Sequence, residues 1–320
     1  TQTNIGLDFA FLNGSLTGTL DYFNKVTNDV ILFATTPDPI NPTEKYWTNF
    51  PDMEVKNKGY EVALDYRGNA GEDFTYNIGG NVSFIDNVVE GSIYSVITSG
   101  AAQGAGQTGA TINGYINGEP IGAFYMKDFI GIGDDGLNQF RDVVEDGVSL
   151  DNDRLVPGSA LPDLLYAFYL NFNYKNFDLG FNFNGVSGNK IFNHTAMSLY
   201  NKGQLVNNLN TTDFSVQYPN EIPTNSNDVS TRYLEDGSFL RLNNASLGYN
   251  LDPATIGLRD LVSNIRFSLT GQNLLTITDY SGYDPEVNTG SEIDQIQTFG
   301  IDRFRYPSAR TYLFGLNVSF

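Results

Sequence analysis

Ala309-Arg-Thr-Tyr-Leu-Phe-Gly-Leu-Asn-Val-Ser-Phe320 ends the sequence on a regular alternation. Tyr312, Phe314, Leu316, Val318 and Phe320 fall on one face of an extended strand, and Thr311, Gly315, Asn317 and Ser319 on the other. A water-soluble sheet has to cover such an aromatic face with a second layer. A transmembrane β-barrel turns it to lipid, because a closed barrel satisfies every backbone polar group within itself. The same pattern recurs up-chain. Phe74, Tyr76, Ile78, Val82 and Phe84 oppose Thr75, Asn77, Gly79, Asn81 and Ser83. Leu164, Tyr166, Phe168, Leu170, Phe172 and Tyr174, followed by Phe177, Leu179, Phe181 and Phe183, stand against a line of asparagines. Each of these segments runs for about ten residues, the length at which a tilted strand crosses a bilayer.

Working outward, Ile5 to Phe11 and Leu16 to Tyr22 flank Asn13-Gly14, a strong hairpin signal. A strand follows through Tyr60, Val62, Leu64 and Tyr66. Segments 109–117 and 120–132 read as a further hairpin about Asn117-Gly118-Glu119-Pro120, although Tyr125, Met126, Phe129 and Ile130 do not keep one phase. Strands at 238–250, 263–279 and 309–320 complete a count of about eleven. Short turns alternate with long connections at 34–53, 90–108, 133–162, 193–236 and 280–308, as in an outer-membrane barrel with periplasmic turns and external loops. If the last strand runs down, the first does too, so the chain is expected to start in mid-barrel, as the carboxy-terminal portion of a larger single barrel domain spanning residues 1–320 here.

Composition agrees with an all-β, antiparallel fold. Gly 33, Phe 23 and Tyr 19 favour strands and turns in a chain of 320 residues. Asp+Glu 37 against Lys+Arg 18 gives a net charge of -19, which argues against a nucleic-acid partner. There is no cysteine, so disulfides and thiolate metal sites are excluded. The longest uncharged run, Ser92 to Asn117, is too rich in small and hydroxylated residues for a membrane helix.

Several stretches together resemble one family, the SusC/RagA-type TonB-dependent outer-membrane transporters. They are Thr27-Asn-Asp-Val-Ile-Leu32, Val55-Lys-Asn-Lys-Gly-Tyr-Glu61, Gly118-Glu-Pro-Ile-Gly-Ala-Phe-Tyr125, Pro157-Gly-Ser-Ala-Leu-Pro-Asp163 and Tyr174-Lys-Asn-Phe-Asp-Leu179. The most specific are Phe239-Leu-Arg-Leu-Asn-Asn-Ala-Ser-Leu-Gly-Tyr249, Gly271-Gln-Asn-Leu-Leu275 and Gly282-Tyr-Asp-Pro-Glu286. The resemblance implies a barrel of about 22 strands with a plug that this chain lacks. It also implies energy coupling through TonB, which contacts the missing plug, a SusD-like surface lipoprotein as partner, outer-membrane lipid around the wall, and oligosaccharide or peptide as substrate. The end on Phe320 resembles the signal that barrel-assembly machinery recognises.

Side chains with chemistry of their own are few. Asp142, Asp146, Gly147 and Asp153 align with positions 1, 5, 6 and 12 of a calcium loop, but Val144 stands where an oxygen ligand is needed. Calcium in the 142–153 loop is the one cofactor the sequence suggests. His194 is the only histidine, reads as a solvated loop residue, and has no serine in a nucleophile-elbow context beside it. A catalytic set is therefore missing, and the reading is transport rather than enzymatic chemistry. Tyr22, Tyr66, Tyr166, Tyr174, Tyr249 and Tyr312 lie on the apolar face and suit an interfacial girdle. Trp47, Tyr169, Tyr218 and Tyr233 are better placed to stack on a sugar. The rival fold, a soluble carbohydrate-binding β-sandwich or propeller, requires the aromatic faces at 164–183 and 312–320 to be buried.

Overall fold

The computed structural model describes residues 1–35, 45–102, 110–147, 152–199, 202–203, 217–258, 260–287 and 296–320. Its largest element is a nine-stranded antiparallel sheet in which every strand pairs with its neighbours in chain order. The strands are β1 (Gln2–Phe11), β2 (Leu16–Thr27), β3 (Glu54–Ala70), β4 (Phe74–Glu90), β5 (Leu164–Tyr174), β6 (Phe177–Ser187), β7 (Phe239–Leu251), β8 (Asn264–Thr278) and β9 (Thr311–Ser319). Turns at 12–15, 71–73, 175–176 and 252–263 join strands at one end of the sheet, and the connections 28–53, 91–163, 188–238 and 279–310 join them at the other. In the first hairpin Asn13 and Gly14 both take positive φ, 55° and 86°, the conformation that an Asn-Gly pair adopts at low cost.

Register carries the alternation across the whole sheet. Phe9 lies opposite Gly18, Gly18 opposite Leu64, Leu64 opposite Gly80, Gly80 opposite Phe168, and Phe168 opposite Phe183. Residues directly opposite share a face, so one side of the wall is apolar over all nine strands. Ring pairs tie neighbouring strands together on this face: Phe168 and Phe183 stack at 4.5 Å, and in a row nearer the long connections Tyr22 meets Tyr60 at 5.2 Å. The face is uncovered. Phe314 is 73% exposed, Tyr312 71% and Tyr174 52%, and no second layer of described residues lies over them. The soluble-sandwich reading fails on this point.

Two of the eleven strands expected from the sequence are not in the wall. The segments at 109–117 and 120–132 form small separate sheets: Val96–Ala101, Thr111–Ile116 and Ala123–Phe124 make a three-stranded one, and Phe129–Ile132 pairs with Asn138–Phe140. The reason is burial on both faces. Ile112, Phe124 and Met126 are wholly buried, whereas a membrane stave has to present one face to lipid. The two long connections expected on either side of that hairpin merge into one, 91–163.

All the long connections meet in a cap with its own core. Ala102, Ile112, Phe124, Met126, Phe192, Ala196, Met197, Val229, Tyr233 and Ile301 pack as one cluster. Leu32, Phe50, Met53, Val55, Val89, Tyr115 and Ile296 form a second cluster where the hairpin Val30–Thr35/Lys45–Phe50 sits on the ends of β3 and β4. The short strand Lys190–Asn193 pairs antiparallel with Leu234–Asp236 and parallel with Ile301–Asp302, uniting three stretches from two connections. Helix α1 (His194–Leu199) follows it directly. His194 is buried there, 6.5 Å from the Phe192 ring, and not solvated as its loop position suggested. It opens a helix inside the core.

Candidate functional site

The polar side of the wall and the underside of the cap form the candidate site. Asn77, Asn81, Asn171, Asn173, Asn182 and Asn184 share the wet face of β4, β5 and β6 by the same register that puts the aromatics outside. Tyr169 belongs to that face. Its hydroxyl donates to Asp65, whose other oxygen accepts from Arg67 Nε at 3.0 Å. The ring lies over Gly79, where a Cβ would come within 2.5 Å of the hydroxyl, so glycine at 79 permits the close approach. Nearer the short turns, Arg266 grips Asp178 through both oxygens, at 2.5 and 2.8 Å.

A bulge between β7 and β8 breaks the ladder at Asn243, and Asn273 opposite it has φ 53°. Asparagine tolerates this left-handed conformation better than most residues, and the Asn273 amide donates to the Ala309 carbonyl at 3.2 Å. Part of what makes the stretches 239–249 and 271–275 recognisable is therefore backbone geometry.

Arg241, on the wet face of β7, is the centre of a rim network. Its guanidinium donates to Asp284 at 2.5 Å, to Glu286, and to Thr276 at 3.1 Å. Burial pushes the Asp284 carboxyl up, but the Ser308 hydroxyl, the Glu286 N–H and Arg241 outweigh it and hold it below the ordinary range. Asp284 and Glu286 come from the stretch 282–286 and Arg241 from 239–249, so two of the quoted motifs are partners in space.

A second pair closes the cap. Arg232 donates to Glu221 through two nitrogens, at 2.7 and 2.8 Å, with both side chains almost wholly buried. The guanidinium is enclosed by the rings of Tyr218, Phe129 and Tyr233, with centroids at 5.0, 5.3 and 5.5 Å. Asn225 and Asn138 complete the network: the Asn225 amide donates to Glu221 at 2.7 Å and to the Asn138 carbonyl oxygen at 3.0 Å. Burial raises the Glu221 carboxyl, yet the bonds from Arg232 and Asn225 prevail and lower it; burial pushes the Tyr233 hydroxyl up to about 12. This pair clamps the segment at 217–233 onto the hairpin at 129–140.

The residues singled out in the sequence are dispersed. Trp47 is exposed on its hairpin and packs against Phe33 at 5.4 Å. Tyr218 leans on Arg232, and Tyr233 is 3% exposed, so it has no face left for a sugar and serves the cap core instead. Phe320 is exposed beyond the end of β9. Asp142 accepts the backbone N–H groups of Asp146 and Gly147 at 3.3 and 2.7 Å. Asp153, buried, accepts those of Val143 and Val144 at 2.8 and 3.0 Å. These oxygens fold the loop, and among the described residues no three carboxylate or histidine side chains gather as metal ligands. Sequence reading missed Glu221, Arg232 and Asp284. The one available signal was Arg241, a lone cation inside an otherwise uncharged strand.

An uncovered apolar face, a wet opposite face and a strict division between short turns and long connections define a segment of a transmembrane β-barrel wall. No protein-family model matches the chain. It is 29% identical to TonB-dependent receptor P3 of Formosa agariphila, over 100% of this chain and 34% of that protein. It is 25% identical to the TonB-dependent receptor SusC of Bacteroides thetaiotaomicron, over 100% of this chain and 32% of that protein. A solved structure of the RagAB peptide importer in its open-open state has the same fold, with a TM-score of 0.77 at 23% identity, covering 100% of this chain and 34% of that one. The chain belongs to the SusC/RagA-type TonB-dependent receptors of the bacterial outer membrane, and it spans about a third of the length of the curated relatives it matches.

Proposed function

We propose that the receptor carrying this chain imports a nutrient, an oligosaccharide or a peptide, across the outer membrane in a TonB-dependent cycle. Residues 1–320 supply part of a single barrel domain. The remainder of the barrel and the plug lie in the rest of the receptor, and a SusD-like lipoprotein covers the loop end. The observation that carries this reading is the two-faced wall beneath a folded cap: lipid holds one side, and the asparagine-lined side is a wet conduit for a polar solute. On this reading Trp47 and Tyr169 are the aromatic side chains placed to meet substrate, one at the outer rim and one on the conduit wall.

The test is growth of a receptor-deletion strain, complemented with the intact receptor, on single oligosaccharides or peptides, with and without TonB. Growth restored only when TonB is present is the expected result. Equal growth without TonB would mean a passive pore and would sink the proposal.

A further inference from the structure

Tyr169 lies flat on the wet side of the wall. Its backbone belongs to β5, its ring crosses β4 over Gly79, and its hydroxyl donates to Asp65 on β3. One face of the ring therefore rests on the wall and the other looks into the conduit. Arg67 holds the second oxygen of Asp65 at 3.0 Å, so the ring is tied down before any ligand arrives.

The ring borders a hollow of about 640 Å³ on the same face. Two cross-strand rows shape it. One runs Thr17, Asp65, Gly79, Tyr169, Asn182, and the other, nearer the long connections, runs Asp8, Thr19, Ala63, Asn81, Ala167, Asn184. Ala63 and Ala167 are the low points of the second row, and Asn243 closes the far end from the bulge on β7. From β1 to β7 the hollow crosses six strand spacings, roughly 29 Å along the sheet. Positions along each row recur at about 4.8 Å, close to the advance of one hexose along a glycan chain.

The lining is neutral or acidic. Its four carboxamides and two threonine hydroxyls both donate and accept, as sugar hydroxyls do, whereas Asp8 and Asp65 only accept. Among the described residues no lysine or arginine lines the hollow. A sulfated or uronic-acid glycan would meet two carboxylates and no cation, and so would the carboxylate end of a peptide. A flat aromatic face set among amides takes the C–H face of a pyranose and its hydroxyls together.

Resting on the import reading above, we propose that this trough is a subsite for a neutral oligosaccharide, with one sugar ring stacked on Tyr169 and the following units hydrogen-bonded along the two rows.

The chain holds no cysteine, so a single thiol can be placed in it without background from its own residues. Asn182→Cys and Asn81→Cys, each in the intact receptor, are labelled with a charged, water-soluble maleimide in the presence of maltohexaose, cellohexaose, laminarihexaose, xylohexaose or mannohexaose. Oligogalacturonate and a decapeptide library form the acidic and peptide arms. At least one neutral hexasaccharide should protect both thiols, and neither of the other arms should. Adding Tyr169→Ala should raise the sugar concentration needed about tenfold, the loss of one stacking contact. Gly79→Ala, whose Cβ would come within 2.5 Å of the Tyr169 hydroxyl and lift the ring, should have a similar effect. Tyr169→Phe keeps the ring and should change the concentration by no more than about threefold. Heat-modifiable gel mobility shows that each barrel has assembled. Thiols that stay unlabelled because the plug covers the trough, protection by no neutral hexasaccharide, or protection undiminished by Tyr169→Ala would each overturn the proposal. TonB-dependent growth on peptides, alongside thiols that no sugar protects, would leave the import reading standing and remove only the sugar subsite.

Discussion

The wall and the cap are built from the same residue types and dispose of them in opposite directions. The wall sends Phe314, Leu316 and Tyr312 outward and lines its other face with asparagines and with the pairs Arg266–Asp178 and Arg241–Asp284. The cap buries Phe124, Phe192 and Met126 among themselves, as a water-soluble domain does. Each side chain's surroundings thus differ in one respect that mutation can expose: lipid flows into a space left by a smaller residue, whereas a packed protein core does not.

The largest effect expected from that difference is at the clamp. Arg232→Ala leaves Glu221 as a buried unpaired charge, at a cost of about 3–5 kcal/mol. Hydrogen exchange of the intact receptor should show faster exchange in 127–140 and 217–236, with the amides of β4, β5 and β6 unchanged. Loss of protection in the wall as well would mean that cap and wall do not unfold separately.

Next comes a matched pair of truncations. Phe192→Ala removes a fully buried ring and leaves a cavity, costing about 3–5 kcal/mol. Phe314→Ala gives up only the transfer of a ring into lipid, about 1–2 kcal/mol on an apolar-area scale. Denaturant titrations in bilayers should separate the two, and equal costs would mean that Phe314 is packed against protein in the intact barrel.

The smallest effect is a titration. Glu221 is lowered in the folded cap, so its stabilising contribution is complete above its ordinary value of 4.5 and is lost as the pH falls below that. Proteolytic nicking of the 217–236 segment should accordingly rise on acidification through this range in the wild type. In Glu221→Gln it should be already high and flat with pH.

The wall was legible in the sequence because its signal is local. A period of two, ten residues long, repeats wherever one face meets lipid, and Asn13-Gly14 or Lys175-Asn176 marks each reversal. The cap was not, for a physical reason. In Thr111–Ile116 both faces are buried, which erases the alternation, and the strands are too short to carry a pattern. Its decisive pairings also join distant residues: Phe192 sits beside Ile301, and the Phe129 N–H donates to Thr231. Nothing near position 192 in the chain announces a partner more than a hundred residues on. The candidate site fared in the same way. Tyr169 followed from its phase on β5, but the fate of Tyr233 depended on neighbours that only the folded cap supplies.

The small sheet in which Lys190–Asn193 lies between Leu234–Asp236 and Ile301–Asp302 makes the outer connections a shared load path. A force applied to the 279–310 connection is borne at once by the 188–238 connection, and through Arg241 and Asp284 it reaches the wall at β7. Lengthening or shortening either connection therefore has to preserve those few paired residues, and the freedom to vary lies in the stretches between them.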